Sequence, residues 1–99
     1  MSIDSHQGIL EHPGPEGIGM LIRIARRRRG WSQDMLAARL VRVGLDSADR
    51  IQVSRWERDE RIPGPHSRER LALVLDTPAD RLEQAARVSR ARRRALNRK

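Results

Sequence analysis

The sequence predicts a compact all-α fold of five helices, and three observations carry that prediction. Apolar residues recur at i, i+3, i+4 and i+7 in successive stretches, the spacing of one helix face. Strong turn signals separate those stretches: Gly30, Gly44, the Pro63-Gly64-Pro65 run and Thr77-Pro78. The chain has 99 residues, 37% hydrophobic, and its aromatic side chains are two tryptophans, which suits one small core and not two. Only Leu40 to Leu45 alternates with the period of a strand, and it does so weakly.

Residues 1–15, MSIDSHQGILEHPGP, show no sustained periodicity and read as a flexible arm with Ile9 and Leu10 as its apolar anchor. The first helix follows from Ile18, Leu21, Ile22 and Ala25, with Gly30 closing it. Ser32 is a good N-cap for SQDMLAARLVR, a second helix with Met35, Leu36, Leu40 and Val41 expected to face inward. Gly44 breaks that helix, and Asp46 or Ser47 is expected to cap a third, ADRIQVSRWERD, on which Val53 and Trp56 share a face. The two prolines around Gly64 demand a turn, with His66 in it. A fourth helix, RERLALVLD, is to bury Leu71, Val74 and Leu75. Thr77 then stands as a cap before Pro78 at the first position of a fifth helix, which runs through Leu82, Ala85, Ala86 and Val88. The organisation is therefore an arm over 1–15, a helical domain over 16–86, and an Arg-rich helical extension or tail over 87–99.

The formal net charge is +8, from 21 basic and 13 acidic residues, which points to a polyanionic partner, nucleic acid first. All the basic residues but Lys99 are arginines. A GC-rich genome and selection for phosphate recognition both account for that bias, and both stay open. The final segment, ARVSRARRRALNRK, carries its cations with no acid among them. That exceeds what a helix C-terminus needs to offset its dipole, which favours phosphate contact by Arg92, Arg93 and Arg94 over a merely solvated helix end. The chain has no cysteine, so neither a disulfide framework nor Cys-ligated zinc is available. No apolar run approaches the ~18 residues that span a bilayer, so neither export nor membrane spanning is expected, and the cytoplasm is the expected location.

Nothing in the sequence suggests catalysis. His6, His12 and His66 lack metal-ligand spacing, no serine sits in a strand-turn-helix elbow, and there is no glycine-rich phosphate loop. A non-enzymatic chain without cofactor or metal is expected.

Two helices, a glycine-containing turn and a third helix suggest a helix-turn-helix, in which one helix braces and the next enters the major groove. The residues GWSQDMLAARL, VSRWERDERIPGP and LALVLDTPADRLEQ together resemble the Xre/Cro family of phage-repressor-like DNA-binding domains, over about residues 18–86. The resemblance implies that Gln33 reaches the DNA backbone, that Asp49, Arg50, Ile51, Gln52 and Arg55 are the base-reading positions, and that Ser54 lies near the sugar-phosphate. It further implies that Glu57 pairs with Arg26 of the first helix. The side-chain chemistry agrees: arginine can bond guanine O6 and N7 bidentately, glutamine pairs with adenine, and isoleucine can meet a thymine methyl. Trp56, on the stripe with Val53, is expected in the core, while Trp31 is as consistent with a stacking surface as with the core.

The sequence departs from the family twice. Leu40 to Asp49 is about six residues longer than the family's turn, an extended loop that either lengthens the second helix or forms a small wing with Arg42 near phosphate. Asp59 stands where the family tends to have glycine, and aspartate tolerates the left-handed conformation. The resulting expectation is a transcriptional regulator that binds double-stranded DNA in a sequence-specific way. The alternative is a protein-interaction module, an antitoxin or adaptor on the same fold. Whether the chain forms a homodimer or answers to a protein partner stays open. An RNA reader is disfavoured, since such proteins use exposed aromatic platforms and the chain has no Phe or Tyr.

Overall fold

The computed structural model describes residues 16–97, in which five helices follow one another and no strand occurs. They are α1 (Ile18–Arg28), α2 (Gln33–Arg42), α3 (Arg50–Glu57), α4 (Pro65–Leu75) and α5 (Ala79–Asn97). The arm, with Ile9, Leu10, His6 and His12, lies outside the described residues. Helix α1 packs on α3, α4 and α5, α2 on α3 and α4, and α4 on α5. The enclosed core holds Ile18, Leu21 and Ile22 of α1, Leu36, Ala37 and Leu40 of α2, and Val53 and Trp56 of α3. Leu71 and Leu75 of α4, Leu82, Ala85 and Ala86 of α5, and Leu45 and Ala48 between α2 and α3 complete it. The helical periodicity read from the sequence thus selects most of the core correctly.

Helix α1 begins without a side-chain cap of its own, so its first N–H groups need partners elsewhere. The Ile18 N–H donates to Ser89 Oγ at 2.9 Å, and the Gly19 N–H donates to Asp59 Oδ1 at 3.2 Å. Ser89 in turn donates its hydroxyl to the same Asp59 oxygen at 3.1 Å. One carboxylate and one hydroxyl therefore join the start of α1, the exit from α3 and the middle of α5. Asp59 reaches this position through a left-handed conformation, φ 58°. The approach is close enough that a Cβ on Gly19 would stand 2.5 Å from the Trp56 carbonyl oxygen.

Local details differ from the sequence reading where tertiary packing decides. Met35 and Val41 do not face inward and are exposed, because the inward stripe of α2 is Leu36, Ala37 and Leu40. The Met35 sulfur instead accepts the Ser32 N–H at 3.5 Å, while Ser32 Oγ accepts the Met35 N–H at 3.0 Å, a capping box with a thioether in the usual place of a carboxylate. The long connection forms neither a wing nor a longer α2. Val43 ends the helix, Gly44 takes φ 98°, and Leu45 and Ala48 turn into the core. The cap of α3 is then Asp49, not Asp46 or Ser47, and its Oδ1 accepts the Gln52 N–H at 2.8 Å.

Helix α4 starts at Pro65, so His66 lies on its first turn and not in the loop. Val74 and Val88 are half-buried. Thr77 does not act as the acceptor cap of α5: its hydroxyl donates to the Leu75 carbonyl at 3.1 Å, and the Pro78 carbonyl accepts the N–H groups of Arg81 and Leu82. Helix α5 runs unbroken across residue 86 into the Arg-rich segment, and Ser89 beyond that point is buried.

Two arginines lock helix ends. Arg68 is buried and donates to the Pro63 carbonyl at 2.7 Å and to Glu83 at 2.8 Å. Arg29 donates to the carbonyls of Ala25 and Leu75, tying the end of α1 to the end of α4.

Candidate nucleic-acid interface

Helix α3 is two-faced, and its inner face is fixed at three positions. Val53 and Trp56 are in the core, and Glu57 is buried at the helix end. Arg26 of α1 grips that carboxylate bidentately, Nε to Oε2 at 2.6 Å and Nη2 to Oε1 at 2.9 Å, while its Nη1 donates to the Trp31 carbonyl at 2.8 Å. Burial alone would push the Glu57 carboxyl up. The hydrogen bonds from Arg26 and Gln33, with the charges of Arg26 and Arg23, outweigh burial and hold it below the usual carboxylate range. The Arg26–Glu57 pair that the resemblance implies is therefore present, and it lies inside the protein.

Gln33 belongs to the same cluster. Its Nε2 donates to Glu57 Oε1 at 3.0 Å, which links the first residue of α2 to the end of α3. The side chain expected to reach DNA backbone thus also braces the two helices against each other, and it stays half-exposed.

The opposite face of α3 meets solvent. Arg50, Ile51 and Arg55 are exposed, Ile51 to 59%, and Gln52 and Ser54 are half-buried beside them. Four of the five expected base-reading side chains, Arg50, Ile51, Gln52 and Arg55, therefore lie on one eight-residue helix whose other side is anchored. The fifth, Asp49, is the cap of that helix, with one carboxylate oxygen engaged. Arg42, at the end of α2, is exposed.

The arginines of α5 divide. Arg93 Nη1 donates to the carbonyls of Asp59 and Glu60, both at 3.0 Å, so it caps the exit of α3 in the way cations cap helix C-termini. Arg92 and Arg94 are exposed on the same helix end. Trp31 is half-buried and packed against the core, with the Arg39 guanidinium 4.3 Å and that of Arg29 5.7 Å from its ring centre. Its ring is taken up by the protein's own cations.

Sequence reasoning did not single out Asp34, whose carboxylate lies 4.0 Å from Arg50, nor the Asp59 and Ser89 junction. For Asp34 the available signal was its place in the first turn after Ser32. For Ser89 there was none, since a serine in an arginine-rich helix reads as solvated. No helix among the described residues is long and apolar enough to cross a membrane. In comparison with known proteins, no family model, no curated protein and no solved structure matches this chain.

Proposed function

We propose that this chain binds duplex DNA in a sequence-dependent way and regulates transcription, with the exposed face of α3 in the major groove. The observation that carries the reading is the two-faced α3: Arg50, Ile51, Gln52 and Arg55 outward, Val53, Trp56 and Glu57 locked inward. A helix held this way has a backbone with little freedom to lose on binding, which favours selective contacts. Arg50 and Arg55 read guanine, Gln52 reads adenine and Ile51 meets thymine methyls. Asp49 contributes by fixing where the helix begins. Arg42, Ser54, Gln33 and the exposed arginines at the end of α5 hold the sugar-phosphate backbone, with Arg93 keeping α3 in place. Such a protein works in the cytoplasm on the nucleoid, needs no cofactor and performs no catalysis.

Selection of the full chain against a randomised duplex pool tests this. A recurring motif, bound more tightly than a scrambled duplex of the same composition, is expected. Equal recovery of all sequences would refute base reading, and no recovery would refute DNA binding.

The second reading, an antitoxin or adaptor module, draws on Leu73. It is 60% exposed on α4, over a hollow that Ala72, Pro78 and Ala79 also line, and exposed apolar patches mark contact surfaces. A chain that selects no duplex, yet binds a defined protein through Leu73, would move the function there.

A further inference from the structure

Asp49 and Asp34 border the face of α3 that is proposed to meet DNA. Asp49 has a structural task as the cap of α3. Asp34, at the second position of α2, is 75% exposed at its side chain, and its Oδ1 lies 4.0 Å from Nε of Arg50, itself 63% exposed. Any acid in the first turn favours the helix dipole; what is particular to Asp34 is its place beside an arginine at the start of the neighbouring helix. On a surface that approaches a polyanion, a carboxylate weakens attraction to every duplex alike. Its position therefore calls for a task that general affinity does not explain.

The geometry of the pair supplies one. The carboxylate meets the guanidinium at its Nε edge, so the far edge, with both terminal NH₂ groups, keeps a complete fork for guanine O6 and N7. In water an exposed pair of this length is weak. When a duplex covers the surface, water leaves and the attraction between the two charges grows as the local dielectric falls. An arginine without that restraint is free to swing to the nearest phosphate, where it contributes grip without reading.

We propose that Asp34 is a specificity-determining residue: it holds the Arg50 guanidinium over the base edges and away from phosphate. This rests on the reading of DNA by α3. The signature is a pair of opposite effects that a purely structural acid would not produce.

The test uses the full chain, the duplex it selects, and a scrambled duplex, with Asp34→Asn, Arg50→Ala and the double variant. Asp34→Asn is expected to bind the scrambled duplex more tightly, while its preference for the selected duplex falls about three- to tenfold. In the Arg50→Ala background the same change should leave the preference unaltered, while any shift in melting temperature appears equally in both backgrounds. A preference that Asp34→Asn leaves intact, or lowers equally without Arg50, would overturn the role of Asp34 alone. A wild-type chain with no preferred duplex would overturn this role together with the reading beneath it.

Discussion

Glu57 is the point at which removal of one charge should do the most damage to the fold. Its side chain is fully buried and receives Arg26 at 2.6 and 2.9 Å and Gln33 at 3.0 Å. Glu57→Gln keeps the volume, but it leaves the buried Arg26 guanidinium without a counter-charge and turns an amide NH₂ toward donors. Breaking one side of a buried pair costs about 3–5 kcal/mol, against about 0–1 for an exposed one. In a domain of this size that lowers the melting temperature by more than about 10 °C. The pair also carries a pH dependence. Because the folded protein holds the Glu57 carboxyl below its ordinary value of 4.5, its contribution is complete above that value and is lost as pH falls through the depressed one. Thermal melts of wild type and Glu57→Gln between pH 7 and pH 3 should therefore converge on acidification. An apolar pair, Arg26→Met with Glu57→Leu, should recover much of the loss, since neither charge is then stranded. A loss below about 1 kcal/mol at pH 7, or a gap between the melts that does not narrow with acid, would contradict a buried, ionised pair at this position.

Other outcomes follow from the same interactions. Trp56→Ala should cost about 3–5 kcal/mol through the cavity it leaves, read by chemical denaturation, and retention of wild-type stability would place Trp56 outside the core. Asp59→Gly relaxes the left-handed turn, yet it strips the Gly19 N–H and the Ser89 hydroxyl of their acceptor, so it should destabilise by about 1–3 kcal/mol; a stabilised variant would show that turn strain outweighs the junction. Arg93→Ala should lower the melting temperature by freeing the α3 exit. Arg94→Ala should leave melting unchanged and flatten the dependence of log affinity on log salt by about 0.9, the increment for a single neutralised phosphate.

The fold was legible at most positions where a rule is local, Met35 and Val41 being exceptions. Ile18, Leu21 and Ile22, then Leu36 and Leu40, then Val53 and Trp56 stand at helical spacing and are buried as that spacing requires. Gly30 and Gly44 take the positive φ that their turns need. What escaped was set by contacts distant in sequence. Leu45 and Ala48 look like loop residues, but their burial consumes the segment that would otherwise extend α3 and so moves its cap to Asp49. Ser89 becomes a core residue only because Gly17 and Gly19 let the start of α1 approach α5 and the α3 exit closely.

The candidate interface was partly legible for the same reason. The outward positions of Arg50, Ile51 and Arg55 follow from the inward ones of Val53 and Trp56. By contrast, the bond of Gln33 to Glu57, the closure of Arg93 on the α3 exit and the position of Asp34 beside Arg50 depend on how separate helices meet. Charge alone made Arg92, Arg93 and Arg94 equivalent in the sequence, and the bonds of Arg93 to the Asp59 and Glu60 carbonyls come only from the placement of the α3 exit beside α5.

Whether the outward face of α3 reads bases is decided at Arg55, which lies on that face away from the Asp34 contact. Equilibrium binding of wild type and Arg55→Ala to the selected and scrambled duplexes, at one fixed salt concentration and with melting temperatures checked, is the measurement. A loss of about 1–3 kcal/mol on the selected duplex is expected, with little change on the scrambled one. Equal weakening on both duplexes would make Arg55 a phosphate contact, and undiminished preference would contradict base reading by Arg55.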